Sequence, residues 1–395
     1  MAEATTTGAR QMVLNMGPQH PSTHGVLRLL LDLDGETVIR AKPDIGFLHT
    51  GIEKQCEALN WQQAVTLTDR VDYLANLSNN LCYALAVEKL LGLEIPPKAQ
   101  WLRVLLTELT RINSHLVWLG THAMDVGAMT VFFYTFRERE EVLKIFEMFS
   151  GQRMMTSYIR IGGLALEPPR DWQRPVKKFI GDFLGRVQEY EDLLSANPIW
   201  LRRLKGVGIV PLEELIEIGV TGPSIRAAGM AWDIRKDEPY SSYEKFDFRV
   251  PVFDGADLYA RYLVRMEELR QSVRIVVQAM DGMPEGPVRA NAPKVVLPDR
   301  EKMKTEMEAL IHHFKIVYEG FKAPPGEVYQ AVESPRGELA YYVVSDGTAN
   351  PYRVHMRTPS FGNIQALSRL LEGRLIADVI AIMGSIDFVL GDCDR

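Results

Sequence analysis

The first segment whose residue types could do chemistry is Gly17–Gly25, GPQHPSTHG, which carries His20 and His24 four residues apart. That spacing suits a zinc-binding helix, but Pro21 follows the first histidine and Gly25 the second, so we predict a turn that leads into a strand. A Gly/Pro-rich loop that offers imidazoles and hydroxyls suits contact with a small molecule, because histidine exchanges protons near neutral pH. The alternative is a turn whose side chains only satisfy backbone groups.

Two further segments carry acidic and phenolic groups. Thr68–Tyr73, TDRVDY, leads into a helix, where Asp69 would cap the helix and the hydroxyl of Tyr73 would need a partner. Thr121–Asp125, THAMD, lies in an apolar helical stretch, where a carboxylate needs a buried partner because burying a lone charge is costly. Histidine is the natural partner, since a carboxylate fixes its tautomer. The residues alone therefore indicate a buried His/Asp/Tyr site of unknown purpose.

A β-hairpin is predicted near each end of the chain, on either side of these groups. Near the N-terminus, Val26–Leu33 and Glu36–Arg40 flank Asp34-Gly35, a dipeptide that suits a type I′ turn. Near the C-terminus, Glu338–Ser345 and Tyr352–Met356 are joined through a second Asp-Gly dipeptide. Short strands bounded by turn residues in this way are typical of antiparallel sheets.

Between the hairpins, apolar residues recur at intervals of three and four, which is the pattern of amphipathic helices. The principal helical segments are Leu81–Leu91, Leu102–Leu119, Arg137–Phe149, Pro175–Leu194 and Asp257–Met280. Shorter helices are predicted at Arg300–Lys315 and Ser360–Leu371.

The order of these elements predicts an α+β fold, with a central helix bundle, a small β unit near the N-terminus and a mixed α/β C-terminal region. Residues 1–52 would form the N-terminal β-hairpin region. Residues 53–282 would form the bundle, with a loop-and-strand insertion around 207–252. Residues 283–395 would form the C-terminal region, packed back on the bundle.

The composition limits the classes of function. The 395-residue chain is 46% hydrophobic and 24% charged, so it can bury a large core and is not globally disordered. A net charge of −6 without a long basic run argues against binding of nucleic acid. Cys56, Cys82 and Cys393 lie far apart and outside any CxxC pattern. That spacing argues against a disulfide framework or a cysteine-ligated metal site, and it fits a reducing compartment.

We expect neither a targeting segment nor a membrane span. Residues 1–11 lack the apolar stretch of a signal peptide. The most apolar window, Leu116–Phe136, contains His122 and Asp125 near its middle, and an ionisable pair at that depth is costly in lipid. The window therefore predicts a buried helix, and any membrane role would come through partners.

Taken together, the motifs resemble those of the D-subunit family of bacterial NADH–quinone oxidoreductase (respiratory complex I). The similarity runs from Met12 to Arg395. The segments that carry it are LNMGPQHPSTHGVLRLLLDLDGETV, DIGFLHTGIEK, TDRVDYLANL, YALAVEKLLG, AMDVGAMTVFFYTFRERE, SYIRIGG, ESPRGELAYYVVSDG, RTPSF and SIDFVLGDCDR.

The resemblance implies a role in a proton-pumping translocase. Together with the B subunit, the D subunit would form the chamber in which quinone is reduced. His24 and Tyr73 match the pair that donates hydrogen bonds to the two sides of the quinone headgroup, and Asp125 matches the acid paired with that histidine. Thr121 and Val389 fall on positions that line the cavity. The chain by itself would bind no metal or other cofactor, because the B subunit holds the terminal iron–sulfur cluster.

The resemblance also implies partners and a location. The chain would contact the B and C subunits of complex I, as well as the H subunit of the membrane arm and its neighbours, and would meet NAD only through distant subunits. It would be a peripheral protein on the cytoplasmic side of the bacterial inner membrane. The alternative within the same complex is a non-catalytic scaffold, and a soluble metalloenzyme is the rival from another class.

The same family is similar to the large subunit of nickel–iron hydrogenases, which hold their metals with two CxxC pairs. The corresponding segments here are RVDYLA and DFVLGD, and Cys393 falls one position outside the expected slot. The resemblance therefore implies a cavity that has lost its metal and receives quinone instead.

Two positions depart from some members of the family. Met155 stands where those members carry a histidine near the terminal cluster, and Thr50 stands where they carry an arginine. Loss of both positive groups would lower the reduction potential of the cluster, because fewer cations favour its oxidised form. We therefore expect a low-potential quinone such as menaquinone as the substrate.

Overall fold

In the computed structural model, which describes residues 11–18 and 25–395, the chain opens with an antiparallel sheet. Strands β1 (Gln11–Met16), β2 (Arg28–Asp34) and β3 (Thr37–Asp44) lie in that order. The predicted hairpin is confirmed as β2 and β3, whereas β1 is an additional strand. Alternate leucines of β2 are buried in the hydrophobic core and the residues between them are half-buried.

The turn between β2 and β3 differs from the predicted type I′. Asp34 pairs with Thr37, so the loop consists of Gly35 and Glu36. Of these, only Gly35 has a positive φ, 61°, whereas a type I′ turn needs two such residues. The register shifts between Asp32 and the next residue, and this irregularity moves the loop along by one position.

The five principal predicted helices are confirmed, four of them with longer bounds. After α1 (Ile52–Ala58) and α2 (Trp61–Thr68), the bundle contains α3 (Asn76–Leu91), α4 (Pro97–Asp125), α5 (Met129–Ser150), the two-residue strands β4 (Ile159–Arg160) and β5 (Gly163–Leu164), α6 (Gln173–Leu194) and α7 (Pro198–Leu204). Helix α3 ends at Gly92, whose amide donates to the carbonyls of Glu88 and Lys89. Helix α4 packs against α5 along its length and also contacts α3.

The apolar window Leu116–Phe136 forms two helices instead of the single buried helix that we expected. Helix α4 ends within it and α5 begins after three intervening residues, one of which is Gly127 with a φ of 101°. Within the described ranges, no helix is both long enough and apolar enough to cross a membrane.

We predicted a loop-and-strand insertion around residues 207–252. That prediction is wrong, because the chain there forms short helices. These are α8 (Leu212–Ile218), α9 (Pro223–Arg226), α10 (Ile234–Asp237) and a 3₁₀ turn at Tyr243–Lys245. Proline begins α9, and a glycine with positive φ ends α8, so each apolar run is cut before it can extend.

The long helix α11 (Leu258–Asp281) packs against α4. Both helices carry buried charged side chains at or near this interface. Glu268 of α11 accepts from Nε2 of His115 at 2.7 Å and from Arg226 at 2.6 Å. Glu108 of α4 is 3.1 Å from Arg235. Each of these charges is paired, which buried charges require.

The C-terminal region returns to both the bundle and the first sheet. It contains α12 (Arg300–Thr305), α13 (Met307–Tyr318), β6 (Gly326–Ser334), β7 (Gly337–Ser345), β8 (Arg353–Arg357), α14 (Pro359–Leu371), α15 (Ile376–Ile386) and α16 (Leu390–Asp394). The predicted helix over residues 300–315 breaks at Glu306, whose backbone is extended. The second hairpin is confirmed, and β6 adds a strand to it. Val38 of β3 donates to the carbonyl of Arg374 at 2.8 Å, which joins the two ends of the fold.

Candidate functional site

Tyr73 lies in the loop between α2 and α3 and is half-buried. Asp72 shapes this loop, because its carboxylate accepts from the amides of Leu74 and Ala75 at 3.1 and 3.2 Å. Asp69, the residue that we expected to act as the cap, instead ends α2 and accepts from the amide of Ser157 at 3.3 Å. The carboxylate of Asp72 therefore bonds the backbone that follows Tyr73.

The C-terminal segment packs directly on this loop at Gly391. A methyl group there would lie 2.8 Å from the carbonyl oxygen of Val71 and 3.3 Å from a ring carbon of Tyr73. Both distances are shorter than ordinary contacts, so the packing requires glycine. The segments RVDYLA and DFVLGD, which resemble the cysteine pairs of hydrogenases, therefore lie against each other.

A cavity of about 210 Å³ opens beside this junction. Among the predicted site residues, Tyr73, Thr121 and Val389 line it. The hydroxyl of Thr121 donates to the carbonyl of Val117 in its own helix at 2.9 Å, which leaves the oxygen able to accept from a ligand. Three predicted residues, from three distant parts of the chain, therefore border one space.

The other two predicted residues have different outcomes. His24 lies outside the described residues, but Gly25, which follows it, lines the cavity and is near Leu390. Asp125 ends α4 one helical turn beyond Thr121 and is half-buried, and it does not border this cavity. An interval of four residues places Asp125 on the same face of α4 as Thr121.

An ion cluster that the sequence analysis missed lies beside Tyr73. The buried guanidinium of Arg336 donates to Asp72 at 2.6 Å and to Asp387 at 3.4 Å. Asp387 lines the cavity, and its Oδ2 has no hydrogen-bond partner among the residues that the structure describes. Asp392 accepts from the amide of Ser360 at 3.1 Å. An available signal was the set of acidic residues in the otherwise apolar terminal segment SIDFVLGDCDR.

Burial governs the protonation of this cluster. Burial and the neighbouring Asp72 raise the pKa of Asp392 to about 7. Burial also raises the pKa of Asp387, although Arg336 opposes this shift. The pKa of Tyr73 is raised by burial and by Asp72. The site therefore contains a carboxylic acid that exchanges a proton near neutral pH beside a phenol that holds its own proton firmly.

A second cavity, of about 540 Å³, lies on another side of Tyr73. Its walls are largely apolar, with Leu48, Leu67 and Met154 among them. Thr50 and Met155, the two positions that depart from the family pattern, both line it. The structure thus brings these two positions, more than a hundred residues apart in sequence, to the same space beside Tyr73.

The three cysteines, Cys56, Cys82 and Cys393, are buried and unpaired. Burial raises the pKa of Cys393 to about 12, so its thiol keeps its proton at neutral pH. Within residues 11–18 and 25–395, no group of three or more His, Cys, Asp or Glu side chains is placed to hold a metal ion.

Comparison with known proteins relates this arrangement to one family. A family model described as respiratory-chain NADH dehydrogenase, 49 kDa subunit, matches residues 125–395. The chain is 71% identical to the D 1 subunit of NADH-quinone oxidoreductase from Solibacter usitatus, over all of its own length and 96% of the relative's. It is 66% identical to the D 2 subunit from Koribacter versatilis, covering 98% of this chain and 96% of that protein. The match to the D subunit from Geobacter metallireducens is 52% identical, over 97% of this chain and 98% of the relative.

Proposed function

The chain belongs to the family of the 49 kDa subunit of respiratory-chain NADH dehydrogenase, the D subunit of the bacterial NADH-quinone oxidoreductases, and from this premise we propose that it forms the quinone-reduction chamber with the B subunit. The observation that carries the proposal is the cavity bordered by Tyr73, Thr121 and Val389. Concave sites with apolar walls and a few convergent polar groups are typical of small-molecule binding.

Reduction of a quinone to a quinol consumes two electrons and two protons. The electrons would come from the terminal iron–sulfur cluster of the B subunit. In this chain, the hydroxyl of Tyr73 donates a hydrogen bond to one carbonyl oxygen and the imidazole of His24 donates to the other. Both bonds strengthen as negative charge develops on the oxygens. Asp125 fixes the orientation of His24 and stabilises its protonated form.

Protons that leave these donors must be replaced, and the ion cluster is a suitable source. Asp392 exchanges a proton near neutral pH, and Asp387 borders the cavity with one carboxylate oxygen available to accept. Tyr73 interacts electrostatically with both Asp72 and Asp392. We therefore assign the carboxylates around Arg336 the task of returning a proton to the Tyr73 side of the headgroup.

The His24 side would couple the chemistry to pumping. Transfer of a proton from a His24–Asp125 pair would change the local charge by one unit, and that change would move the Gly17–Gly25 segment. Gly25 packs near Leu390 at the cavity wall, which supports a link between the loop and the bound quinone.

The substrate that we propose is a low-potential quinone such as menaquinone. Thr50 and Met155 both line the cavity beside Tyr73, and neither carries a positive charge. Without those charges, the nearby cluster would have a lower reduction potential and would match a low-potential acceptor.

The proposal extends to partners and location. The B and C subunits, and the H subunit of the membrane arm with its neighbours, would contact this chain, and NAD would bind only to distant subunits. The complex would hold the chain at the cytoplasmic face of the bacterial inner membrane as a peripheral protein.

The test replaces the two donors in the assembled complex. Tyr73→Phe keeps the ring and removes only the hydroxyl, and we expect quinone reduction to fall about 100-fold. His24→Ala should also change quinone turnover and pumping while reduction of the cluster by NADH persists. Transfer of electrons from NADH to a soluble artificial acceptor is the control, because it bypasses quinone. Tyr352→Phe, at an exposed tyrosine, is the matched control variant.

The scaffold alternative gives a different outcome. If the chain only seats its neighbours, Tyr73→Phe would lower the amount of assembled complex and leave the turnover of each complex unchanged. Normal quinone reduction in a fully assembled Tyr73→Phe complex would contradict the proposed donor role.

A further inference from the structure

Helix α13 presents an apolar stripe to solvent. The apolar residues recur at intervals of three and four, which places them on one side of the helix. They are Met307, Leu310, Ile311, Phe314, Val317 and Tyr318. Three of these side chains, at positions 307, 314 and 318, are 73%, 65% and 87% exposed.

The opposite side of α13 is already used by the fold. Ala309 and Ile316 are buried, whereas Glu308 and Lys315 lie on one flank between the buried side and the stripe. A helix that is apolar on both its inner and its outer side is typically buried on both sides in its final assembly. The stripe is therefore a surface that needs a partner.

An acidic groove of about 720 Å³ runs along the charged flank of α13. Five carboxylates border it, from Glu94, Glu167, Asp299, Glu306 and Glu308. Asp299 pairs with Arg289 at 2.6 Å and Glu167 is 3.7 Å from Lys98. Among the described residues, the other three carboxylates form no ion pair. Two cations, Arg289 and Lys302, also border the groove, so the five carboxylates leave it with an excess of negative charge beside the apolar stripe.

We propose that the α13 stripe and the acidic groove together form a docking surface for another protein of the same complex, one that presents an apolar segment flanked by Lys or Arg; this inference rests on the membership of the complex proposed above. The charge of the groove selects this occupant. A second copy of the chain would bring two acidic grooves together, and an anionic membrane surface would be repelled by the same carboxylates. A protein segment of this kind places its apolar residues on the α13 stripe and its Lys or Arg residues in the acidic groove.

The experiment is done on the assembled complex. Ile311→Ser with Phe314→Ser removes the centre of the stripe, and Glu306→Lys with Glu308→Lys reverses the charge at the groove. Both residue pairs are exposed, so the isolated variants should unfold at the temperature of the unmodified chain. We expect each double variant to be retained in the purified complex about tenfold less than the unmodified chain. Ile199→Ser, at an apolar residue that is 66% exposed on α7, is the matched control.

The partner is identified with a photo-crosslinking amino acid in place of Phe314. The expected product joins this chain to a segment of another protein of the complex in which apolar residues are flanked by Lys or Arg. Crosslinking to a second copy of the chain or to lipid would overturn the proposal, as would full retention of both double variants. Quinone reduction per assembled complex should stay unchanged, so this outcome is independent of the role of Tyr73.

Discussion

At the scale of single residues, the site depends on how one arginine is shared among carboxylates. Arg336 is bonded to Asp72 and Asp387, while Asp392 lies nearby without a direct bond to it. Ionising all three buried carboxylates beside one guanidinium is unfavourable, because two of the negative charges would lack a compensating positive charge. One carboxyl group therefore keeps its proton at a pH where an exposed carboxylate would lose it. The phenol of Tyr73 interacts electrostatically with two of these carboxylates, Asp72 and Asp392.

Asp392 gives the chain a pH-dependent stability that can be measured. Its pKa is raised from 3.8 to about 7, so its protonated form favours the folded chain. Stability from this group is complete below about pH 4 and declines as pH rises to about 7. Asp392→Asn should remove that decline, and the variant should gain about 2–4 kcal/mol relative to the unmodified chain between these pH values.

The measurement is denaturant unfolding of both chains across this pH range. Asp281→Asn, at an exposed carboxylate that ends α11, is the matched control and should leave the pH profile unchanged. A parallel pH profile for Asp392→Asn and the unmodified chain would show that folding does not raise the pKa of Asp392.

Met155 and Thr50 are uncharged residues in the lining of the second cavity, to which Arg70 brings a positive charge. Thr50→Arg together with Met155→His should raise the reduction potential of the terminal cluster and make it depend on pH, because both new groups can carry positive charge. Met155 has a φ of 53°, a conformation that histidine tolerates better than methionine, so the change adds no backbone strain.

A redox titration of the cluster in the assembled complex checks this prediction. Thr50→Gln with Met155→Asn is the matched control, because it changes size and polarity without adding charge. Equal cluster potentials in the two double variants would argue against the assignment of a low-potential quinone.

At the scale of elements, the site depends on close approach between segments that are distant in sequence. Gly384 of α15 lies so near α4 that a methyl group there would be 2.7 Å from the ring of His122. The indole of Trp118 donates to the carbonyl of Gly384 at 2.8 Å, which locks the two helices together. This contact keeps α4, which carries Thr121, beside the segment that carries Val389, so that both residues line one cavity.

Gly391→Ala tests the corresponding junction at Tyr73. The added methyl group would meet the carbonyl of Val71, so α16 must shift away from the loop. We expect a loss of about 1–3 kcal/mol in the free energy of unfolding and a fall in quinone reduction by the assembled complex.

The matched control is Gly185→Ala, on an exposed part of α6 where a new methyl group meets nothing within 4 Å. There alanine should stabilise the chain by about 0.5–1 kcal/mol, because glycine is unfavourable within helices. An equal gain in the free energy of unfolding for Gly391→Ala and Gly185→Ala would show that the α16 junction accommodates a methyl group.

At the scale of the whole molecule, the two ends of the chain close the site. Asp394 accepts from the amides of Gly46 and Leu48 at 2.8 and 2.7 Å, so the last residues hold the loop that follows β3. That loop contributes Leu48 and Thr50 to the second cavity. The exposed stripe of α13 lies outside this closed unit, which is why we assign it to assembly.

The sequence by itself determined the helices and hairpins, because apolar periodicity and Gly or Pro stops act within a few residues. It predicted the α+β class, the end of α3 at Leu91, and the motif residues Tyr73, Thr121 and Val389 as candidates. It failed where local signals were weak, as in the short helices of residues 207–252 and the break at Glu306.

Only the tertiary structure decided which of these residues share a space. Arg336 comes from the turn after β6, and Asp72 and Asp387 come from loops more than three hundred residues apart. No local pattern encodes their meeting, because it depends on how glycine contacts and buried charges fix one element against another. Burial then sets the proton affinity of Asp392, which is a property of its surroundings and not of its place in the sequence.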